Sequence, residues 1–325
     1  MTAAWIASVQ EPSGAIPWFP GGHLDVWNHV EAAMGLDVSG FHAEASAAYR
    51  WLARVQNADG SWYAEYRHSA ATDFAKDANF VAYVAVGVLH HALACQDTDF
   101  LAGLWPTVSA AVDFVLSLRA PSGAIRWRDS SPIFLVTGCS SIHQSLLCAA
   151  AIASRVGCPR PDWLAAARAL GSAIRDRPEL FEDKPHSMDW YYPVLGGVVT
   201  GSTAEQRLST RWERFVVPGL GVRCVSDQPW VTGGETAELA LTLALRGDSR
   251  AAQLLADVER LRADDGSYWT GYQFANQVIW PGERTTWTAG AVLLATAALR
   301  DHPSTHAVFK PLSLVPQGTP RYPIE

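Results

Sequence analysis

Gln56-Asn-Ala-Asp-Gly60-Ser-Trp62 is the stretch on which the fold turns, because its outline returns three more times along the chain. Gln10-Glu-Pro-Ser-Gly14 is followed by Trp18, Arg119-Ala-Pro-Ser-Gly123 by Trp127, and Arg262-Ala-Asp-Asp-Gly266 by Tyr268 and Trp269. Each copy runs Gln or Arg, three residues, Gly, and soon an aromatic. Each also closes an amphipathic stretch with Pro-Ser-Gly, Ala-Asp-Gly or Asp-Asp-Gly, combinations that stop helices and turn the chain. Such self-similarity marks a fold assembled from one repeated supersecondary unit.

After each phrase comes a polar or aromatic loop, then a helical stretch that is apolar on nearly every side and rich in small residues. Residues 77–94, 138–154 and 285–299 are the clearest, and 25–36, 189–199 and 234–245 complete a set of six. A helix that is apolar all round is surrounded by protein. The stretches between them, such as 41–55 (FHAEASAAYRWLARV) and 248–261, carry charge on one side and belong outside. Inner starts at 25, 77, 138, 189, 234 and 285 are 52, 61, 51, 45 and 51 residues apart, room for a helix, a turn, a helix and a loop. Six such hairpins close into a double ring. The expected fold is all-α, an (α/α)6 toroid forming one domain over 1–325, with no strand-rich segment competing. Residues 130–137 alone suggest a short extended piece.

The 325 residues are 49% hydrophobic and 18% charged, with a net charge of -7, and carry no Lys/Arg run. Nucleic acid and anionic membrane surfaces are therefore not expected as partners. The first basic residue is Arg50, so no signal-peptide charge precedes an apolar stretch and a cytoplasmic location is expected. The longest purely apolar run, 80–89, leads to the expectation of no membrane span. Five cysteines without a CxxC are expected to be buried thiols. Fourteen Trp are the most informative count, since clustered indoles line pockets for sugars, flat apolar ligands or cations.

The phrase at 56–62 resembles the Q-x-x-x-G-x-W repeat of the terpenoid cyclase and prenyltransferase superfamily, whose fold is an α/α toroid. Leu24-Asp-Val-Trp-Asn-His-Val-Glu-Ala-Ala-Met34, Met188-Asp-Trp-Tyr-Tyr-Pro193 and Trp280-Pro-Gly-Glu-Arg-Thr-Thr-Trp287 are similar to actinobacterial proteins described as prenyltransferase-like or squalene-cyclase-like. A second resemblance, through 100–108, 111–114 and 286–294, is to six-hairpin glycosidases of the glucoamylase type. The two agree on architecture and differ in chemistry, and fold alone does not choose between them.

In such a ring the loops leading into the inner helices meet at one mouth, where functional groups should gather. Asp189, set among Met-Asp-Trp-Tyr-Tyr, and Glu235, after Gly233-Gly234, are the best candidate acids. Glu283 and Asp25 complete the candidate catalytic set, although an acid at a helix start also serves as an ordinary cap. Trp27, Asn28, Asp77, His143, Trp190, Tyr191, Tyr192, Trp230, Trp280 and Trp287 are candidate substrate-binding residues. Glu31, two turns into its helix, would need a partner or a function if buried. Cys139 and His143, four apart, would share a helix face, but no third or fourth metal ligand is evident, and no cofactor motif is present.

The resemblance to terpenoid cyclases implies a small-molecule substrate protonated or ionised in an aromatic-lined cavity. Yet the chain lacks D-x-D-D, has only Asp264-Asp265 in place of D-D-x-x-D, and has no D-x-C zinc element. The leading expectation is an enzyme of terpenoid cyclase/prenyltransferase type. The alternatives are a sugar-processing toroid with two carboxylates across the cavity, Asp189 or Glu235 with Glu283, and a non-catalytic binding module.

Overall fold

The four glycines of the repeated phrases share one conformation, with φ of +95° at Gly14, +87° at Gly60, +89° at Gly123 and +86° at Gly266. Their surroundings correspond as well. A Cβ on Gly14 would lie 2.3 Å from the Ala47 carbonyl oxygen, on Gly60 2.1 Å from that of Ala110, and on Gly123 2.9 Å from that of Ala169. Glycine is needed twice over, for the left-handed backbone and for the approach of a neighbouring helix. Gln10 Nε2 donates to the carbonyls of Gly14 and Glu44, and Gln56 Nε2 to those of Gly60 and Thr107, each at 2.9 Å. Each phrase thus ends one outer helix and fastens the turn to the next.

The computed structural model describes residues 1–310. Its helices are α1 (Thr2–Val9), α2 (Val26–Asp37), α3 (His42–Val55), α4 (Ala78–Cys95), α5 (Thr98–Ser117), α6 (Val136–Arg155), α7 (Pro161–Asp176), α8 (Met188–Leu195), α9 (Gly201–Thr210), α10 (Trp212–Phe215), α11 (Gly233–Ala244), α12 (Arg250–Val258), α13 (Thr286–Leu299) and α14 (Pro303–Phe309). The inner ring is α2, α4, α6, α8, α11 and α13, each packed on the next and α13 back on α2. The (α/α)6 toroid read from the sequence is the observed fold. Gly266 closes the outer ring, since a Cβ there would meet Met1 Cβ at 2.9 Å, at the start of α1. The α13–α2 seam is tied by Thr286 N–H donating to the Trp18 carbonyl and Thr286 Oγ1 to that of Pro17, both at 2.8 Å.

The inner helices begin within two residues of the expected positions. The fourth is shorter than expected, ending at Leu195 instead of running to 199. Pro193 lacks an N–H to continue the ladder, and Gly197 at φ +73° turns the chain away. Residues 130–135 are irregular and α6 starts at Val136.

Seven short strands among the described residues were not foreseen. Glu65–Arg67 (β1) and Ala70–Asp73 (β2) form a hairpin before α4. Val216–Val217 (β3), Gly221–Arg223 (β4), Trp230–Thr232 (β5), Gly271–Gln273 (β6) and Val278–Ile279 (β7) form an antiparallel sheet in that order, built from the loops before α11 and α13. At two to four residues apiece they are too short to print an alternating pattern on the sequence. Because these loops feed inner-helix starts, hairpin and sheet stand on the mouth side. At the other end α14 packs on α4, where Ser304 Oγ and His90 Nε2 lie 3.0 Å apart, and Gln144 Nε2 donates to the Val308 carbonyl at 2.9 Å.

By length and composition α4, α5 and α6 could cross a membrane, which corrects the reading that no stretch reaches that size. In the ring, however, 78% of the α4 stretch and 89% of the α6 stretch are buried against other helices. The cysteines are all free thiols; Cys139 and Cys148 are buried as expected, Cys95 and Cys224 half-buried, and Cys158 exposed.

Candidate active site

Asp25 and Asp77 begin α2 and α4 in the same way. Asp25 Oδ1 accepts from Asn28 N–H at 2.9 Å and Asp77 Oδ1 from Asn79 N–H at 2.9 Å, so both cap their helices. Each also accepts from an indole of a repeated phrase, Asp25 from Trp18 Nε1 of the phrase before it at 2.7 Å and Asp77 from Trp127 Nε1 of the phrase after it. The Asn28 side chain adds a further donor to Asp25. Burial raises both carboxyls above the ordinary range, Asp77 to about 6, while these donors oppose the rise.

Deeper along the axis the helices carry two more acids. Glu31 lies on α2 and Glu238 on α11, both buried. Glu238 accepts from Tyr192 Oη at 2.8 Å and from Tyr191 Oη. Burial pushes Glu238 up to about 8, and the neighbouring charge of Glu235 adds to the rise against the two tyrosine bonds. Burial and the nearby Glu238 likewise hold Glu31 well above the usual range. Asp25, Glu31, Glu238 and Glu235 therefore form a row, each within electrostatic reach of the next. The row joins α2 to α11, the two helices flanking α13.

Aromatic rings fill the axis beside this row. Trp27 of α2 meets Tyr192 of the opposite α8 at 5.5 Å, Tyr83 of α4 at 5.6 Å and Phe80 at 6.1 Å. Trp287 of α13 packs over Gly234, where a Cβ would meet the indole at 2.6 Å, and lies 6.2 Å from Trp18. Amid these rings Asn79 Oδ1 is buried without a hydrogen-bond partner, while Trp27 Nε1 and Glu31 Oε2 are buried near each other with Trp287 beside them, and Glu235 Oε2 is buried near the Cys224 thiol. Buried polar atoms are nearly always satisfied, so these groups leave polar capacity on three inner helices that a bound polar ligand or water would complete.

The structure thus gathers Asp25, Trp27, Asn28, Tyr191, Tyr192, Glu235 and Trp287 around one centre, with Asp77 on the adjoining helix start. Other candidates lie apart. Asp189 Oδ1 accepts from Thr137 N–H at 3.2 Å and Thr137 Oγ1 at 2.5 Å, and Oδ2 is 4.0 Å from Lys184 Nζ, in a lateral cleft of about 700 Å³ beside Arg175, Arg207 and Arg211. Trp190 turns outward, donating to the Arg207 carbonyl at 2.8 Å and stacking on Phe215 at 5.2 Å. His143 Nδ1 pairs with the Gly196 carbonyl at 2.9 Å, past the far end of α8. Trp230 and Trp280 pack edge to face at 4.9 Å on the rim sheet, and half-buried Glu283 accepts Thr270 N–H through its own carbonyl.

Cys139 and His143 do not converge, since Cys139 Sγ donates to the Ile125 carbonyl. Asp37, His42 and Cys95 do, with ligand atoms within 4.8 Å of one another, and could hold a metal ion. They lie at the end of the ring away from the inner-helix starts, where Asp37 Oδ1 pairs with His91 Nδ1 at 2.8 Å and His42 Nδ1 at 3.1 Å. Sequence reading missed Glu238, although an acid inside the otherwise greasy GGETAELALTLA was a signal of the kind Glu31 gave.

The chain is 48% identical over 323 residues to an MMP endo-(1,4)-3-O-methyl-alpha-D-mannosidase of Mycolicibacterium hassiacum, covering 98% of this chain and 90% of the relative. Among solved structures it superposes on a wild-type glycosidase with a TM-score of 0.76 at 16% identity, covering 93% of this chain and 96% of that one. A D-mannose isomerase gives 0.72 at 11% identity, over 92% and 95%. At these identities the structural likenesses carry the fold alone. No protein-family model matches the chain.

The mannosidase relative overturns the terpenoid cyclase/prenyltransferase resemblance, the enzyme type drawn from it, and the isoprenoid, prenyltransferase-like and squalene-cyclase-like descriptions. The physical reason lies in the phrase that suggested them. Gln56 and Gly60 fasten a turn to the next outer helix, and Trp62 Nε1 donates to the Leu52 carbonyl at 3.0 Å. This hardware builds a double ring and is indifferent to the chemistry within it.

Proposed function

The chain belongs to the family of the MMP endo-(1,4)-3-O-methyl-alpha-D-mannosidase, and from that premise we propose that it is a glycoside hydrolase cutting within α-1,4-linked, 3-O-methylated mannose chains. The near-full-length identity carries this reading. The buried polar groups and the aromatic rings beside the carboxyl row support it, since a sugar ring offers hydroxyls to the first and apolar faces to the second.

Hydrolysis of a glycosidic bond takes two carboxyl groups, one giving a proton to the departing oxygen and one acting at the anomeric carbon. We assign them to the two ends of the row, both at inner-helix starts on the mouth side, one on each side of α13. Glu235, with a buried Oε2 near the Cys224 thiol, protonates the glycosidic oxygen. Asp25, fixed by three N–H donors, serves the anomeric carbon as carboxylate. Glu31 and Glu238 lie below them, where burial raises both carboxyls and Tyr191 and Tyr192 hold Glu238 in place. Water supplies the hydroxyl of the new reducing end and the proton that restores Glu235. Whether Asp25 attacks carbon or deprotonates that water is read from the anomer first released. Incubation with synthetic 3-O-methylated α-1,4-mannooligosaccharides, followed by mass spectrometry, should give internal fragments; intact substrate beside cleaved unmethylated glucosides would overturn the assignment.

A further inference from the structure

Four of the six exposed large hydrophobic side chains among the described residues stand at the mouth: Phe74 (67% exposed), Val278 (46%), Ile279 (38%) and Trp280 (53%). Phe74 follows β2, and the other three run through β7 to the residue after it. The two groups flank the segment bearing Asp25. Leu24 bridges to Tyr66 in β1 on one side, and the Trp18 carbonyl accepts Thr286 N–H beyond β7 on the other. Both platforms are braced from behind. Phe74 packs edge to face on Tyr63 at 5.1 Å. Trp280 is held at its carbonyl by Trp230 Nε1, at 2.8 Å, and its N–H donates to the Gly271 carbonyl at 3.0 Å.

We propose that these two hairpins are outlying sugar-binding platforms that hold the residues on either side of the cleaved bond and select for O-methyl groups. The inference rests on the function proposed above, because a chain cut internally must extend past the catalytic carboxyls in both directions. Two braced patches with the Asp25 segment between them match that demand, whereas one partner protein would use one contiguous face. Each O-methyl group removes a hydroxyl donor and adds a carbon that favours Val278, Ile279 and an indole over water, strengthening binding about fourfold. Rings fixed before binding lose little freedom when the sugar arrives.

The test compares the full-length chain with Phe74→Ala and Trp280→Ala on methylated and unmethylated α-1,4-mannooligosaccharides of increasing length. The intact protein should favour long, methylated chains. Each variant should lose about tenfold in kcat/KM on those chains through KM, leaving kcat and cleavage of the shortest substrate unchanged. Equal losses at every length, or none, would overturn the platforms while the hydrolase reading stands. If the intact protein neither cleaves the methylated chains nor changes its tryptophan fluorescence with them, the hydrolase reading falls and the platforms fall with it. A switch from dimer to monomer in Trp280→Ala, seen by sedimentation, would reassign the patch to self-association and equally overturn the proposal.

Discussion

Glu238 is buried in a helix without any basic neighbour among its hydrogen-bond partners, which are two tyrosines, and its proton is linked to stability. Its carboxyl sits near 8 in the folded chain against an ordinary 4.5. The folded state therefore binds more protons than the unfolded state across that window, and stability falls as pH rises through it, levelling above about 8. Glu238→Gln removes the titration, so its melting temperature relative to the parent should improve between pH 5 and pH 8; a gap that stays constant with pH would refute the assignment. For turnover, Asp25→Asn and Glu235→Gln should each lower kcat by about 10² to 10⁴-fold with KM little changed. Asp189→Asn keeps the row intact and an Oδ1 acceptor for Thr137, and should retain most turnover while lowering the melting temperature slightly, since Lys184 loses the charge it faces. Asp25 and Glu235 were visible in the sequence as polar residues at inner-helix starts. Which starts would face one another was not, because the ring order that sets α2 and α11 on either side of α13 is a tertiary fact.

At the scale of elements, the legible part was what repetition wrote down. The glycines of the phrase predicted turns, and each turn is there with positive φ. Gly60→Ala is the sharpest check, because it places a methyl 2.1 Å from the Ala110 carbonyl oxygen in a left-handed residue. Both faults must be relieved by moving α5, so we expect a loss of about 2 to 4 kcal/mol in chemical denaturation. Gly40, also at positive φ but with open space around it, should lose only about 1 kcal/mol on the same change. The rim strands were illegible for the opposite reason. The pairing of β5 with β6 joins Thr232 to Gly271 and exists because α11 and α13 are neighbours, not because either run favours an extended chain.

For the whole molecule, closure is the property that separates this ring from an open stack of helical hairpins. In an open stack each unit touches its neighbours alone, and unfolding can begin at an end and proceed unit by unit. Here the first and last inner helices meet. Gly266 sits against the start of α1, and Thr286 bonds to the carbonyls of Pro17 and Trp18. The carboxyl row crosses this seam, with Asp25 and Glu31 on one side and Glu235 and Glu238 on the other, so opening the ring dismantles the site. Tryptophan fluorescence, to which Trp18, Trp27 and Trp287 at the mouth contribute, should then report the same denaturant midpoint as helical circular dichroism. Thr286→Val deletes the Oγ1 bond while preserving shape, and should shift both midpoints together by about 1 to 2 kcal/mol. If fluorescence and activity are lost well before the helical signal, the seam opens on its own, and the ring behaves as a stack whose ends happen to touch.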